Sequence, residues 1–143
     1  MPSLNFIGVN MAQYNIHFTV DEARATIPDI RRRLLRINDL IAEIRRKQEV
    51  EGNPLMSILR GNGKGPLLTG VSVGGQQEEA QRMIEQIAAE GIQIKDIQRG
   101  LIDFPHFLNG DIDHEVFLCW RLGEDTIEYW HEIDAGYAGR QRL

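Results

Sequence analysis

Cysteine occurs once in this sequence, at Cys119. A single thiol cannot close an internal disulfide, so nothing in the chain calls for an oxidising compartment. No stretch approaches the ~20 consecutive apolar residues of a membrane-spanning helix. The opening, MPSLNFIGVNMAQYNIHFTV, has neither a basic start nor a sustained apolar core, so no leader or anchor is expected. A basic surplus is missing too. The formal net charge is -5, with arginines crowded into the first helix and the acidic excess in the second half. That balance argues against broad nucleic-acid binding, which needs a cationic face to release phosphate counterions. The expectation is a cytoplasmic protein with neither a membrane nor a nucleic-acid partner.

What is present is ordinary in bulk and uneven in detail. The 143 residues, 42% hydrophobic and 26% charged, have the size and composition of one soluble globular domain spanning 1–143. Residues 1–15 carry no period and read as a flexible lead. Thr19 stands three residues before Glu22, the spacing at which each side chain can serve the other's backbone amide, so a helix is expected over 19–50. Ala23, Ile27, Ile30, Leu34, Ile37, Ile41 and Ile44 then recur at steps of four and three, forming one apolar stripe. Pro28 lies within it and predicts a kink, or a break near Ile27, because proline gives up the bond to the carbonyl of Arg24. The basic residues Arg31, Arg32, Arg33, Arg36, Arg45, Arg46 and Lys47 read as a solvated face.

Residues 51–75 hold seven of the fourteen glycines and read as one long loop. Its GNGKGP string fails as a phosphate loop: Ile58 stands where the first glycine is required, and Gly65 where a hydroxyl residue is required. A second helix is expected over 76–90, ended by a left-handed Gly91 with Ile92 behind it. The two helices favour a hairpin, and the longer first one leaves part of its stripe for another subunit.

From Gly91 the period becomes that of strands, expected antiparallel over 92–132 with a tail at 133–143. Leu101–Phe104 is a short apolar run closed by Pro105, which suggests a strand end or an edge. Asn109-Gly110 signals a left-handed turn. Glu115–Arg121 and Thr126–Glu132 read as a hairpin turning at Gly123-Glu124, which opposes Trp120 to Ile127, Leu118 to Tyr129 and Val116 to His131. In that register Phe117 and Trp130 share the second face, with Arg121 near Glu128. His131 ends the apolar face, where Asp103 is its candidate partner; such a pair can orient a general base, a metal ligand or merely the core. Cys119 falls on the opposite face from His131, so no metal and no cofactor are expected, and a mid-strand thiol reads as a small hydrophobe.

The tail sequence AGYAGR either docks Tyr137 into the core or closes on an anion through Arg140. The candidate site is therefore Asp103, His131 and Glu124 as catalytic groups, with Trp120, Trp130 and Arg140 as binding groups.

The strings GLIDFP, VFLCWRLGE, IEYWHE and GYAGR, with FTVDEARATIPDI ahead of them, resemble the uncharacterised bacterial family known as domain of unknown function 2203. The resemblance runs from about His17 to the C-terminus and departs most in the glycine-rich stretch 51–75. It implies a bacterial, cytosolic, stand-alone domain and brings no established activity or cofactor. The residues carrying it are Gly100, Asp103, Phe104, Pro105, Cys119, Trp120, Gly123, Glu124, Trp130, His131, Gly136, Gly139 and Arg140.

The expected fold is α+β, a long-helix hairpin packed on a small antiparallel meander of three or four strands. The leading functional expectation is a non-enzymatic homo-oligomeric binding or assembly module, most simply a dimer, formed through the leftover stripe or the Phe117/Trp130 face. The alternative is a small hydrolase or small-anion-binding enzyme built on Asp103 and His131 with Glu124 and Arg140.

Overall fold

The computed structural model describes residues 12–51 and 64–143, with side chains for 12–49 and 75–143. Residues 1–11 of the expected lead and 52–63 of the expected loop lie outside the described residues. Two helices come first, α1 (Val20–Glu51) and α2 (Lys64–Ala89). A five-stranded antiparallel sheet follows, β1 (Gln93–Asp96), β2 (Leu101–Phe107), β3 (Glu115–Arg121), β4 (Tyr129–Glu132) and β5 (Gln141–Arg142), with neighbours in chain order. The chain forms two compact units, one of residues 32–86 and one of the residues up to Arg31 with Ile87–Leu143. Among the described residues no helix is long and apolar enough to cross a membrane.

Helix α1 starts as its sequence dictates. The Thr19 hydroxyl accepts from the Glu22 amide (3.0 Å), and the Glu22 carboxylate accepts from the Thr19 amide (2.9 Å). The expected break near Ile27 does not occur, for α1 is one element through Pro28. Ile27 and Ile30 flank the proline at 2% and 0% exposure, and their burial offsets the bond that proline forgoes. In the unit of residues 32–86, Arg36 pairs with Glu79 (3.1 Å), while Lys47 donates to Gln76 (3.0 Å), which also contacts Glu43. Helix α2 begins at Lys64, inside the stretch expected as a loop. The glycines there weaken a helix without forbidding it, and their number masked the helical spacing of Leu67, Leu68 and Val71. Its end is the expected one, with Gly91 at φ +97° and the Ile92 amide bonded to the carbonyl of Ile87 (3.4 Å).

The sheet has five strands, one more than the upper expectation, because the tail returns: Gln141 and Arg142 pair with Trp130 and Tyr129. Asn109 (φ 55°) and Gly110 (φ 76°) make the left-handed turn between β2 and β3. Strand β2 runs past Pro105, which pairs with Phe117. Its carbonyl accepts from the Phe18 amide (2.8 Å) on the side where β1 has ended, so the missing N–H faces a strand edge.

The β3–β4 register corrects the expected one by a single residue. Phe117 opposes His131, Leu118 opposes Trp130 and Cys119 opposes Tyr129. The connection occupies residues 122–128 rather than a two-residue tip. Tertiary bonds hold it open: Trp120 Nε1–H donates to the Glu124 carbonyl (3.0 Å), Arg31 to the carbonyls of Glu124 and Asp125 (3.3 and 3.0 Å), and Arg24 to that of Ile127 (2.9 Å). Arg31, expected in a solvated face, instead satisfies loop carbonyls and lies over the Trp120 ring at 5.6 Å.

The slip redistributes both faces. Val116, Leu118 and Trp120 share the α1 side with Ile102 and Phe104, all 0% exposed. The opposite face carries Asp103, Phe117, Cys119, Tyr129 and His131. Phe117 and Trp130 therefore do not share a face. The expected partner for Arg121 differs as well, since Glu128 pairs with Arg142 (3.3 Å).

Candidate functional site

Asp103, Cys119 and His131 sit on the sheet face opposite the one that carries Trp120 and meets Arg31. Asp103, in the middle of β2, and His131, in β4, are 2% and 1% exposed. Strand β3 separates them in the sheet, yet His131 Nε2 lies 3.2 Å from both carboxylate oxygens of Asp103. The other ring nitrogen, Nδ1–H, donates to the carbonyl of Glu132 (2.8 Å). With an acceptor at each nitrogen, the imidazole is fully satisfied only when both carry protons. Burial disfavours that charged form and is the largest single influence. The Asp103 hydrogen bond, the Glu132 carbonyl and the Asp103 charge together outweigh it, so the His131 pKa stands above its ordinary value.

Cys119 lies between these residues and the tail. Its thiol pKa is pushed up to about 12, first by burial and then by the charge and hydrogen bond of Asp103, with Arg140 pulling the other way. Arg140 Nη1 approaches Cys119 Sγ at 4.0 Å. The same guanidinium binds Glu124 in two-pronged fashion (3.1 and 2.8 Å) and lies over the rings of Tyr129 and Tyr137 at 4.0 and 4.2 Å. A chain of contacts thus runs from His131 through Asp103, Cys119 and Arg140 to Glu124.

A pocket of about 220 Å³ opens on this face, lined by Lys95, Leu101, Asp103, Phe117, His131, Ile133, Asp134, Gly136 and Tyr137. Lys95 reaches it because the β1–β2 register shifts between Ile94 and Asp96, leaving Lys95 as the bulged residue. Its ammonium lies 4.7 Å from the centre of the Phe117 ring. One flank of Phe117 is covered by Tyr14 (5.3 Å), held by the Glu115 carboxylate, which accepts from the amides of Gln13 (2.7 Å) and Tyr14 (3.1 Å) and binds His17 (2.7 Å). Gln13 and Tyr14 of the expected lead are in this way tied down.

Of the expected site residues, Asp103 and His131 converge. Glu124 and Arg140 meet each other and reach that pair only through Cys119; Glu124 borders a separate depression with Gly123, Asp125 and Tyr129. Trp120 is 0% exposed on the α1 side, so it has no surface for a ligand. Trp130 pairs with Leu118, on the side away from His131, and its ring meets His114 edge-on at 6.3 Å. Sequence reasoning missed Lys95 in the pocket. A signal for it exists: Ile92 and Ile94 alternate with Gln93 and Lys95, and the pairing of Gln93 with Asp103 puts the side of the latter two beside the carboxylate.

The cluster's chemistry is of two kinds. Asp103 and His131 can hold and deliver a proton in the pocket lining. Asp103, Cys119 and His131 also offer an oxygen, a sulfur and a nitrogen that all lie within 4.8 Å of one another. No curated protein and no solved structure matches the chain. The family model described as Uncharacterized conserved protein (DUF2203) matches residues 17–143, and the chain belongs to that family.

Proposed function

We propose that the chain is a small-molecule enzyme of hydrolytic type whose working centre is the pocket lined by Asp103 and His131, rather than a homo-oligomeric assembly module. The observation that carries this reading is the pair itself: two ionisable side chains, 2% and 1% exposed, meet at 3.2 Å in the lining of a pocket of about 220 Å³. Burying a charged pair is costly and adds little stability, so a pair in a pocket lining is better accounted for by chemistry than by packing. Lys95 in the wall supplies a cation for an anionic group of the substrate, and the doubly protonated His131 supplies a proton to a departing oxygen.

The assembly reading has less support: Phe117 is buried and does not share a face with Trp130, although Ile41 and Ile44 of the stripe are half-buried.

The test is an NMR titration of the full chain with inorganic phosphate and with acetate, followed by turnover of para-nitrophenyl phosphate and acetate. The expected result is saturable shifts at the amides of Lys95, His131 and Gly136, and turnover of one ester that is lost in His131→Gln. Shifts scattered over the surface, or turnover that survives in His131→Gln, would overturn the reading.

A further inference from the structure

The register expected from the sequence puts Cys119 and His131 on opposite faces of the hairpin and so predicts no metal site. The observed register puts them on one face together with Asp103, and Asp103 and His131 both line the pocket. We propose that Asp103, Cys119 and His131 bind one divalent cation of the zinc class, with carboxylate, thiolate and imidazole as its three protein ligands and the fourth position turned to the pocket.

Three observations support the assignment. The first is spacing: the ligand atoms all lie within 4.8 Å of one another. Bonds of about 2.0 Å to nitrogen and oxygen and 2.3 Å to sulfur in a tetrahedron put ligand atoms roughly 3.3–3.6 Å apart. His131 Nε2 and the Asp103 oxygens, at 3.2 Å, are near that separation and wider than the roughly 2.7–2.9 Å of a direct charge-assisted hydrogen bond. Cys119 Sγ lies within 4.8 Å of both and would have to close to roughly 3.5 Å on binding.

The second is the outer contact on histidine. Nδ1–H donates to the Glu132 carbonyl (2.8 Å), which fixes the ring and directs Nε2 toward Asp103. Metal-binding histidines are held in this way by a backbone or carboxylate acceptor on the far nitrogen.

The third is charge. A carboxylate and a thiolate neutralise a divalent ion, and Arg140, held by Glu124, stands 4.0 Å from Cys119 Sγ as a donor to the bound sulfur. The ligand set mixes hard oxygen, borderline nitrogen and soft sulfur, which suits zinc or cobalt and not magnesium or calcium. Asp103 and His131 both line the pocket, so an ion has a route in and a solvent-side position left for water or a substrate oxygen. The assignment rests on the proposed function only for the use of that fourth position: with the ion bound, His131 Nε2 is a ligand and no longer a proton donor, and that role passes to water at the open position; the three-ligand site stands on register and distance.

The test titrates the metal-free full chain, kept reduced, with Co²⁺ and follows its absorption. One equivalent is expected to bind with a thiolate-to-cobalt charge-transfer band, displaced by Zn²⁺. Cys119→Ser should remove that band, and Asp103→Asn should weaken binding by roughly tenfold or more. The Zn²⁺ displacement needs no variant, so it remains decisive even if a substitution prevents folding. Absence of tight binding at one equivalent, binding without the thiolate band, or a band that persists in Cys119→Ser would overturn the proposal. The two readings separate cleanly. Thiolate-bound Co²⁺ whose spectrum ignores added phosphate and acetate leaves the metal site standing against the pocket reading, whereas anion binding by a chain that takes up no Co²⁺ does the reverse.

Discussion

His131 and Asp103 meet at 3.2 Å across the intervening strand β3, both almost wholly out of solvent. Removing one partner strands the other, at a cost of about 3–5 kcal/mol. Asp103→Ala should therefore lower unfolding free energy by that order in urea denaturation. Asp103→Leu combined with His131→Phe should lose much less than the sum of the single changes. Additive losses would mean that the two side chains are not energetically coupled.

The raised His131 pKa sets a sign for the pH dependence. A histidine that binds its proton more tightly when folded contributes stability that is complete below its unfolded value of 6.5 and is lost as pH climbs through the higher folded value. Glu115 acts at the other end. Burial raises its pKa, but the Gln13 amide, the His17 hydrogen bond, the Tyr14 amide and the His17 charge outweigh burial and lower it. Its contribution is present above the ordinary carboxylate range and disappears as pH falls through the depressed value. Urea midpoints measured against pH should fall on both sides, and His131→Gln should flatten the alkaline limb alone.

Cys119 is 0% exposed, with its thiol pKa pushed up to about 12 by burial and then by Asp103. The metal-free native chain should resist alkylation at neutral pH, with labelling that tracks the unfolded population across a urea series. Rapid modification of the native chain would contradict this burial.

Arg140 combines a two-pronged bond to Glu124 with stacking on Tyr129 and Tyr137. Lysine can reproduce the charge but not the fork or the plane. Arg140→Lys should cost about 1–2 kcal/mol in chemical denaturation and alter the near-ultraviolet tyrosine signal. A change within error would mean that the tail is held by β5 pairing alone.

Gly100 turns β1 into β2 at φ +65°, and a Cβ there would stand 2.5 Å from Cβ of Leu122. Gly100→Ala should destabilise by about 2 kcal/mol or more, through the left-handed backbone and the clash together. Leu122→Gly in the same chain should recover the steric part, as read by thermal melts of the single and double variants.

Local chemistry was legible in the sequence wherever a few neighbouring residues decide the outcome. The Thr19/Glu22 cap, the apolar stripe of α1, the glycine end at Gly91 and the Asn109-Gly110 turn all formed where their residues indicated. The pairing of Asp103 with His131 was also suggested, because a charge inside LIDF needs a partner. The start of α2 was hidden by glycines, whose propensity is a weak local preference that tertiary context overrides.

The sequence by itself determined that two helices precede a set of antiparallel strands, and which few ionisable residues lie inside apolar strings; neither the helix over 64–75 nor the strand Gln141–Arg142 was legible in it. Only the tertiary structure decided the β3–β4 register, and with it which side chains share a site. Val116, Phe117, Leu118, Cys119 and Trp120 are all 0–1% exposed, so β3 is buried on both faces. Such a strand has no polar alternation to fix its parity, and a slip by one residue leaves it equally apolar. Trp120 and the arginines of α1 settled the matter by holding open the connection at 122–128, which brought Cys119 and His131 onto one face.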